Sequence, residues 1–145
     1  MATVRLDISQ ENLESLVRDY PVGIRDLRCS RNNFTILHGI PDTVENLGCS
    51  YTHISSFDGC SASAKRIVAV HCLIDSLAGL PKTLDTLYVS YNKLRTLEGC
   101  PVVRELDVSC NQLTDVSGLP NGIEELCISN NADLRNCRVT IETCK

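Results

Sequence analysis

Nine cysteines and three histidines are the residues of this chain whose types allow chemistry. A thiolate can attack an electrophile, thiolates and imidazoles can hold zinc, and paired cysteines can close disulfides. The spacing argues against all three. No C-x-x-C pair occurs, and no Cys/His set has zinc-ligand spacing. His71 adjoins Cys72 in sequence, while His38 and His53 stand apart from each other. Asn33-Phe34-Thr35 reads as a glycosylation sequon, a triplet that often arises by chance.

The elements that position these residues are visible in the glycines. Gly39, Gly59, Gly79, Gly99 and Gly118 are spaced 20, 20, 20 and 19 residues apart, five of only eight glycines. A fixed period near twenty means a solenoid in which each short unit covers the apolar face of its neighbour. An aliphatic anchor repeats at Leu27, Leu47, Ile67, Leu87, Leu106 and Leu126. Two residues on, Cys29, Cys49, Ala69, Val89, Val108 and Ile128 fill the same face of a short strand, since side chains alternate with period two. Ile24, Val44, Ala64, Leu84, Val103 and Ile123 precede the anchor, and pairs such as Phe34/Leu37 and Leu94/Leu97 follow it. Five residues past the anchor come Asn32, Thr52, Cys72, Asn92, Asn111 and Asn131. An Asn stacked there carries both donor and acceptor for backbone groups left without a sheet partner. Thr52 and Cys72 meet that need only in part, so the ladder is expected to be weakest between the second and third repeats. The Gly column permits positive φ or close backbone approach at the next corner. Pro41, Pro81, Pro101 and Pro120, with Ser61 the exception, set an extended return. Twenty residues leave no room for a full helix, so the outer side is expected to be extended or a 3₁₀ turn.

These columns resemble the leucine-rich repeat, L-x-x-L-x-L-x-x-N/C-x-L, which implies a horseshoe with a concave parallel β-sheet. The resemblance covers residues 22–137. Residues 1–21 form a cap or imperfect repeat, with Val4, Leu6 and Ile8 alternating like a strand; a short helix from Ser9 to about Asp19 is the alternative. Residues 138–145 form a C-terminal cap in which Val139 and Ile141 alternate again. The form LPxxLxxLxVSxNxLxxL resembles repeats of bacterial type III effectors, without their appended catalytic domain. The cysteine-bearing version, with L-x-C-S-Y/R and G-C-P, is similar to leucine-rich repeats of large DNA viruses of amoebae. Both imply a protein-binding module without chemistry of its own.

Bulk composition agrees with that. The 145 residues suit one domain, 43% apolar and 22% charged, with an aliphatic core because aromatics are only 4%. The net charge of −4 is spread without a basic half, so the footprint of a nucleic-acid binder is absent. No apolar run approaches the roughly 18 residues of a membrane span, and the N-terminus lacks a signal peptide's apolar core. The expectation is a cytoplasmic protein, acting in a host cytoplasm or carried in a virion.

The columns then sort the reactive residues. Cys29, Cys49, Cys60, Cys72 and Cys100 fall on core columns as small buried hydrophobes. Cys110 and Cys127 point outward, Cys137 and Cys144 lie in the tail, and these four are expected to be incidental thiols. His71 is left on the surface by the turn that brings Cys72 inward. No catalytic residue, metal or cofactor is expected, and the chain is expected not to be an enzyme. Binding residues are instead sought one, three and four positions past each anchor. Arg28 and Arg31, with Arg25 and Arg66 nearby, make a basic end. Tyr51, Val68, Val70, His71, Tyr88 and Tyr91 make an apolar-aromatic centre, and Glu105, Asp107, Glu124 and Glu125 an acidic end. The middle column, Ser30, Ser50, Val70, Ser90, Ser109 and Ser129, reads as repeat grammar. The expected partner-binding set is therefore Arg28, Arg31, Tyr51, Val68, His71, Tyr88, Tyr91 and Asp107, for a protein partner whose identity the sequence does not give. The alternative is a structural component of a viral particle or larger assembly.

Overall fold

Residues 2–132 and 134 are described in the computed structural model. They form a parallel β-solenoid of about six turns with almost no helix. Seven three-residue strands run in chain order: β1 (Arg5–Asp7), β2 (Asp26–Arg28), β3 (Asn46–Gly48), β4 (Arg66–Val68), β5 (Thr86–Tyr88), β6 (Glu105–Asp107) and β7 (Glu125–Cys127). Each pairs in parallel with the next, and the register sets Leu6, Leu27, Leu47, Ile67, Leu87, Leu106 and Leu126 in one row. That row is the floor of the core, and the residue two positions later completes it. Cys29, Cys49, Ala69, Val89 and Val108 are fully buried there, while Phe34, Phe57, Leu77 and Leu97 close the far side.

The corner after each strand is held by side chains. Asn92 Nδ2 donates to the carbonyls of Ala69, Val89 and Ser90, and its Oδ1 accepts the Ile74 amide at 2.9 Å. Asn111 and Asn131 repeat the pattern, accepting the amides of Leu94 and Leu113. One amide side chain thereby serves two adjacent turns. At Thr52 and Cys72 the pattern thins. Thr52 Oγ1 donates to the Cys49 carbonyl, Cys72 Sγ lies 3.3 Å from that same oxygen, and the two side chains meet at 3.4 Å.

The next corner needs glycine for two reasons at once. Gly118 has φ +86°, and a Cβ there would stand 2.6 Å from the Glu98 backbone nitrogen. Gly59 repeats this at φ +83° against the His38 nitrogen at 2.9 Å. The return is extended with a single tight turn after Pro21, Pro41 and Pro81, as where Val44 N–H donates to the Pro41 carbonyl. Where Ser61 replaces proline, its buried Oγ donates to the Val44 carbonyl at 2.7 Å.

Residues 9–21 are not a helix; they form another turn of the solenoid. Asn32 Oδ1 accepts the amides of Glu11 and Leu13, and Ile8 and Leu16 drop into the core columns. A helix would break those backbone contacts and carry Leu16 out of register. The C-terminal alternation at Val139 and Ile141 lies outside the described residues.

Candidate binding face of the sheet

The face of the sheet turned from the core carries the residues on either side of each anchor. The strands end one residue past it, so the column four past the anchor sits in the exit turn and not on a strand. Arg31, Tyr51, His71, Tyr91, Cys110 and Asn130 all have φ between 53° and 57°. A non-glycine residue in that region costs about 1–2 kcal/mol. The turns offset this by bonding to one another: the amides of Arg31, Tyr51 and Tyr91 donate to the carbonyls of Ser50, Val70 and Ser109. In-register turns project one side chain each at about the strand spacing of 4.8 Å. For flat rings that spacing means stacking. Tyr51 and His71 lie 4.7 Å apart at 15°, and His71 and Tyr91 lie 4.2 Å apart at 14°. The Arg31 guanidinium covers the outer face of Tyr51 at 4.4 Å. At the other end the Cys110 thiol holds the Tyr91 phenol above its usual range, and Asn130 Nδ2 approaches Cys110 Sγ at 3.5 Å. Six side chains thus make one continuous file, with Tyr51 and Tyr91 about half exposed (46% and 52%).

A second file runs along the strands: Arg28, Gly48, Val68, Tyr88, Asp107 and Cys127. Tyr88 belongs to it and not to the stack. Its Oη donates to Glu105 at 2.6 Å, its ring lies under Arg66 at 4.8 Å, and the Glu105 contact raises its pKa. Of the eight expected binding residues, Arg31, Tyr51, His71 and Tyr91 are brought together in the turn file. Arg28, Val68, Tyr88 and Asp107 stand in the strand file. Between the files runs the serine column, where Ser30 Oγ and Ser50 Oγ accept the amides of Ser50 and Val70.

Two further columns entered the sequence reading only in part, through Arg25, Arg66, Glu105, Glu124 and Glu125 as charged ends. The residues just before the anchors, Asp26, Asn46, Arg66, Thr86, Glu105 and Glu125, also face outward; the alternation rule contained them, because both neighbours of an inward residue point out. One position earlier the charges alternate without exception: Arg25, Glu45, Lys65, Asp85, Arg104, Glu124. Arg25 and Lys65 both pair with Glu45, and Arg104 grips Asp85 through two bonds at 2.6 and 2.7 Å while reaching Glu124 at 3.7 Å. Arg25 and Glu124 are therefore partnered within this column and do not belong to a free gradient across the sheet.

The thiols divide differently from expectation. Burial pushes Cys29 up to about 12 and Cys49 well above the usual range, and both are free thiols. Cys60 and Cys100 are only half-buried, because the Ile40/Leu80 column lies at the rim of the core; burial still raises both to about 11. Cys127 is disulfide-bonded and is not the incidental thiol expected of it. Cys137 and Cys144 lie outside the described residues. Among the described residues no three His, Cys, Asp or Glu side chains gather as a metal-ligand set, and no helix is long and apolar enough to cross a membrane. Neither a protein-family model nor a curated protein matches this sequence.

Proposed function

We propose that this chain is a non-catalytic module of the leucine-rich-repeat type that binds a protein partner through the concave face of its sheet. The observation that carries the proposal is the exposed Arg31–Tyr51–His71–Tyr91 stack. Four flat groups are fixed in place by the backbone before any partner arrives, so little side-chain entropy is lost on contact. Tyrosine and arginine are also the side chains favoured at interface hot spots. A cytoplasmic setting belongs to the same proposal; the free buried thiols of Cys29, Cys49 and Cys72 support it, while the bonded Cys127 counts against it. The rival, a component of a viral particle or larger assembly, draws on the outer edge of β1, the first strand of the sheet order.

The test is capture. Immobilised Tyr51→Ala/Tyr91→Ala protein should retain the parent's melting temperature, since both rings stand outside the core. It should lose the stoichiometric partner that the parent retrieves from cells. Retrieval at the parent's yield would move the contact surface away from the stack and favour the edge-mediated assembly.

A further inference from the structure

The strand file is interrupted once. β1, β2 and β4 to β7 each carry a side chain after the anchor, whereas β3 carries Gly48. Neither corner requirement applies here. Gly48 is absent from the positive-φ glycines, and a Cβ built on it meets no atom within 4 Å. The missing side chain leaves a concavity of about 350 Å³ bounded by Arg28, Asn46, Arg66, Val68 and Asp26.

The walls are chemically uneven. Arg28 has its nearest carboxylate, Asp26 Oδ1, at 3.9 Å, while Asp26 Oδ2 is already held by Arg5 at 2.7 Å. Arg66 rests on the Tyr88 ring and makes no ion pair among the described residues. Two guanidiniums, on strands two steps apart, thus border one gap without a closely bound carboxylate of their own. Guanidinium forks match a planar carboxylate bidentately. The half-buried Asn46 amide adds a donor, and Val68 offers an apolar wall for a methylene stem.

We infer that the Gly48 notch receives a glutamate side chain from an acidic segment of a partner protein. Asp26 at its margin disfavours a doubly charged phosphate more than a singly charged carboxylate. One isolated notch also differs from the basic stripe that a nucleic-acid backbone needs. The inference rests on the proposed use of this face, and its test needs no natural partner, so the two can fail separately.

The probe is the blocked peptide acetyl-Gly-Gly-Glu-Gly-Gly-amide, titrated into the full chain and read by amide chemical shifts. Saturable shifts are expected at Asn46, Gly48 and Val68. A Gln-containing peptide should bind weaker by roughly tenfold to a hundredfold, as for a lost charge-assisted hydrogen bond. Gly48→Leu, which fills space that is empty, should keep the melting temperature and lose the shifts. Arg66→Gln, which leaves the glycine in place, should weaken binding by at least about tenfold. Equal affinity for the Gln peptide, persistence in Gly48→Leu, tighter binding of inorganic phosphate, or no shift up to the peptide's solubility limit would each overturn the assignment. Failure of the Tyr51→Ala/Tyr91→Ala capture test alongside intact peptide shifts would overturn the stack and spare the notch.

Discussion

Cys49 shows how one residue couples the core to pH. Its thiol is fully buried and stays protonated far above the usual range, while in the unfolded chain it ionises near about 8.5. Below that pH both states hold the proton and the group adds nothing to the pH dependence. Above it the unfolded state releases a proton that the folded state keeps, so stability falls as pH rises. Ala69 occupies the same column one turn later, which makes Cys49→Ala a conservative probe. Urea denaturation between about pH 9 and about pH 11 should show a shallower loss of stability in that variant than in the parent. Parallel slopes would mean that the thiol is accessible when folded. The inward place of Cys49 was legible from period-two alternation alone. The bond at Cys127 was not, because its position on an outward column says nothing of what approaches it.

At the scale of the turn, the corner devices set the largest local costs. Asn92→Ala would strand the Ile74 amide and the Ala69 carbonyl, the Val89 carbonyl keeping its bond from Asn111, and should cost about 1–3 kcal/mol by thermal or urea melting. Cys72→Asn restores the missing acceptor between the second and third turns and should be neutral or stabilising. Asn92→Ala melting like the parent would remove the ladder from the account. Gly118→Ala meets the Glu98 backbone and an unfavourable φ together, so it should lose more than the roughly 1–2 kcal/mol of the dihedral alone. An unchanged melting temperature would contradict the close approach of those two corners. The sequence made these corners readable because glycine and asparagine are chosen for backbone reasons. The left-handed exit turn was harder to see: Arg31, Tyr51, Tyr91 and Cys110 carry no shared chemical signature, and only His71 and Asn130 are of types enriched in that region.

Over the whole molecule, seven strands in one register turn a one-dimensional sequence pattern into files of side chains, each about 4.8 Å from the next. Periodicity revealed the core files, since an aliphatic column must recur to be buried. It did not show that the last outward column leaves the sheet, because three-residue strands end before the turn that carries the aromatic stack. Nor did it bring out the alternating charges from Arg25 to Glu124, where a column that changes sign at every turn hides from a search for sameness. Exposed ion pairs are each worth about 0–1 kcal/mol, yet this column disfavours a misregistered turn by placing like charges together. The central claim is that a partner meets the sheet face along the stack. Val102, 73% exposed on the return segment, supplies the comparison site. A photo-crosslinking phenylalanine analogue installed singly at Tyr91 and at Val102 tests the claim most directly. The account predicts one partner crosslinked in high yield from position 91 and none from position 102. The same partner captured from position 102, with nothing from position 91, would contradict it.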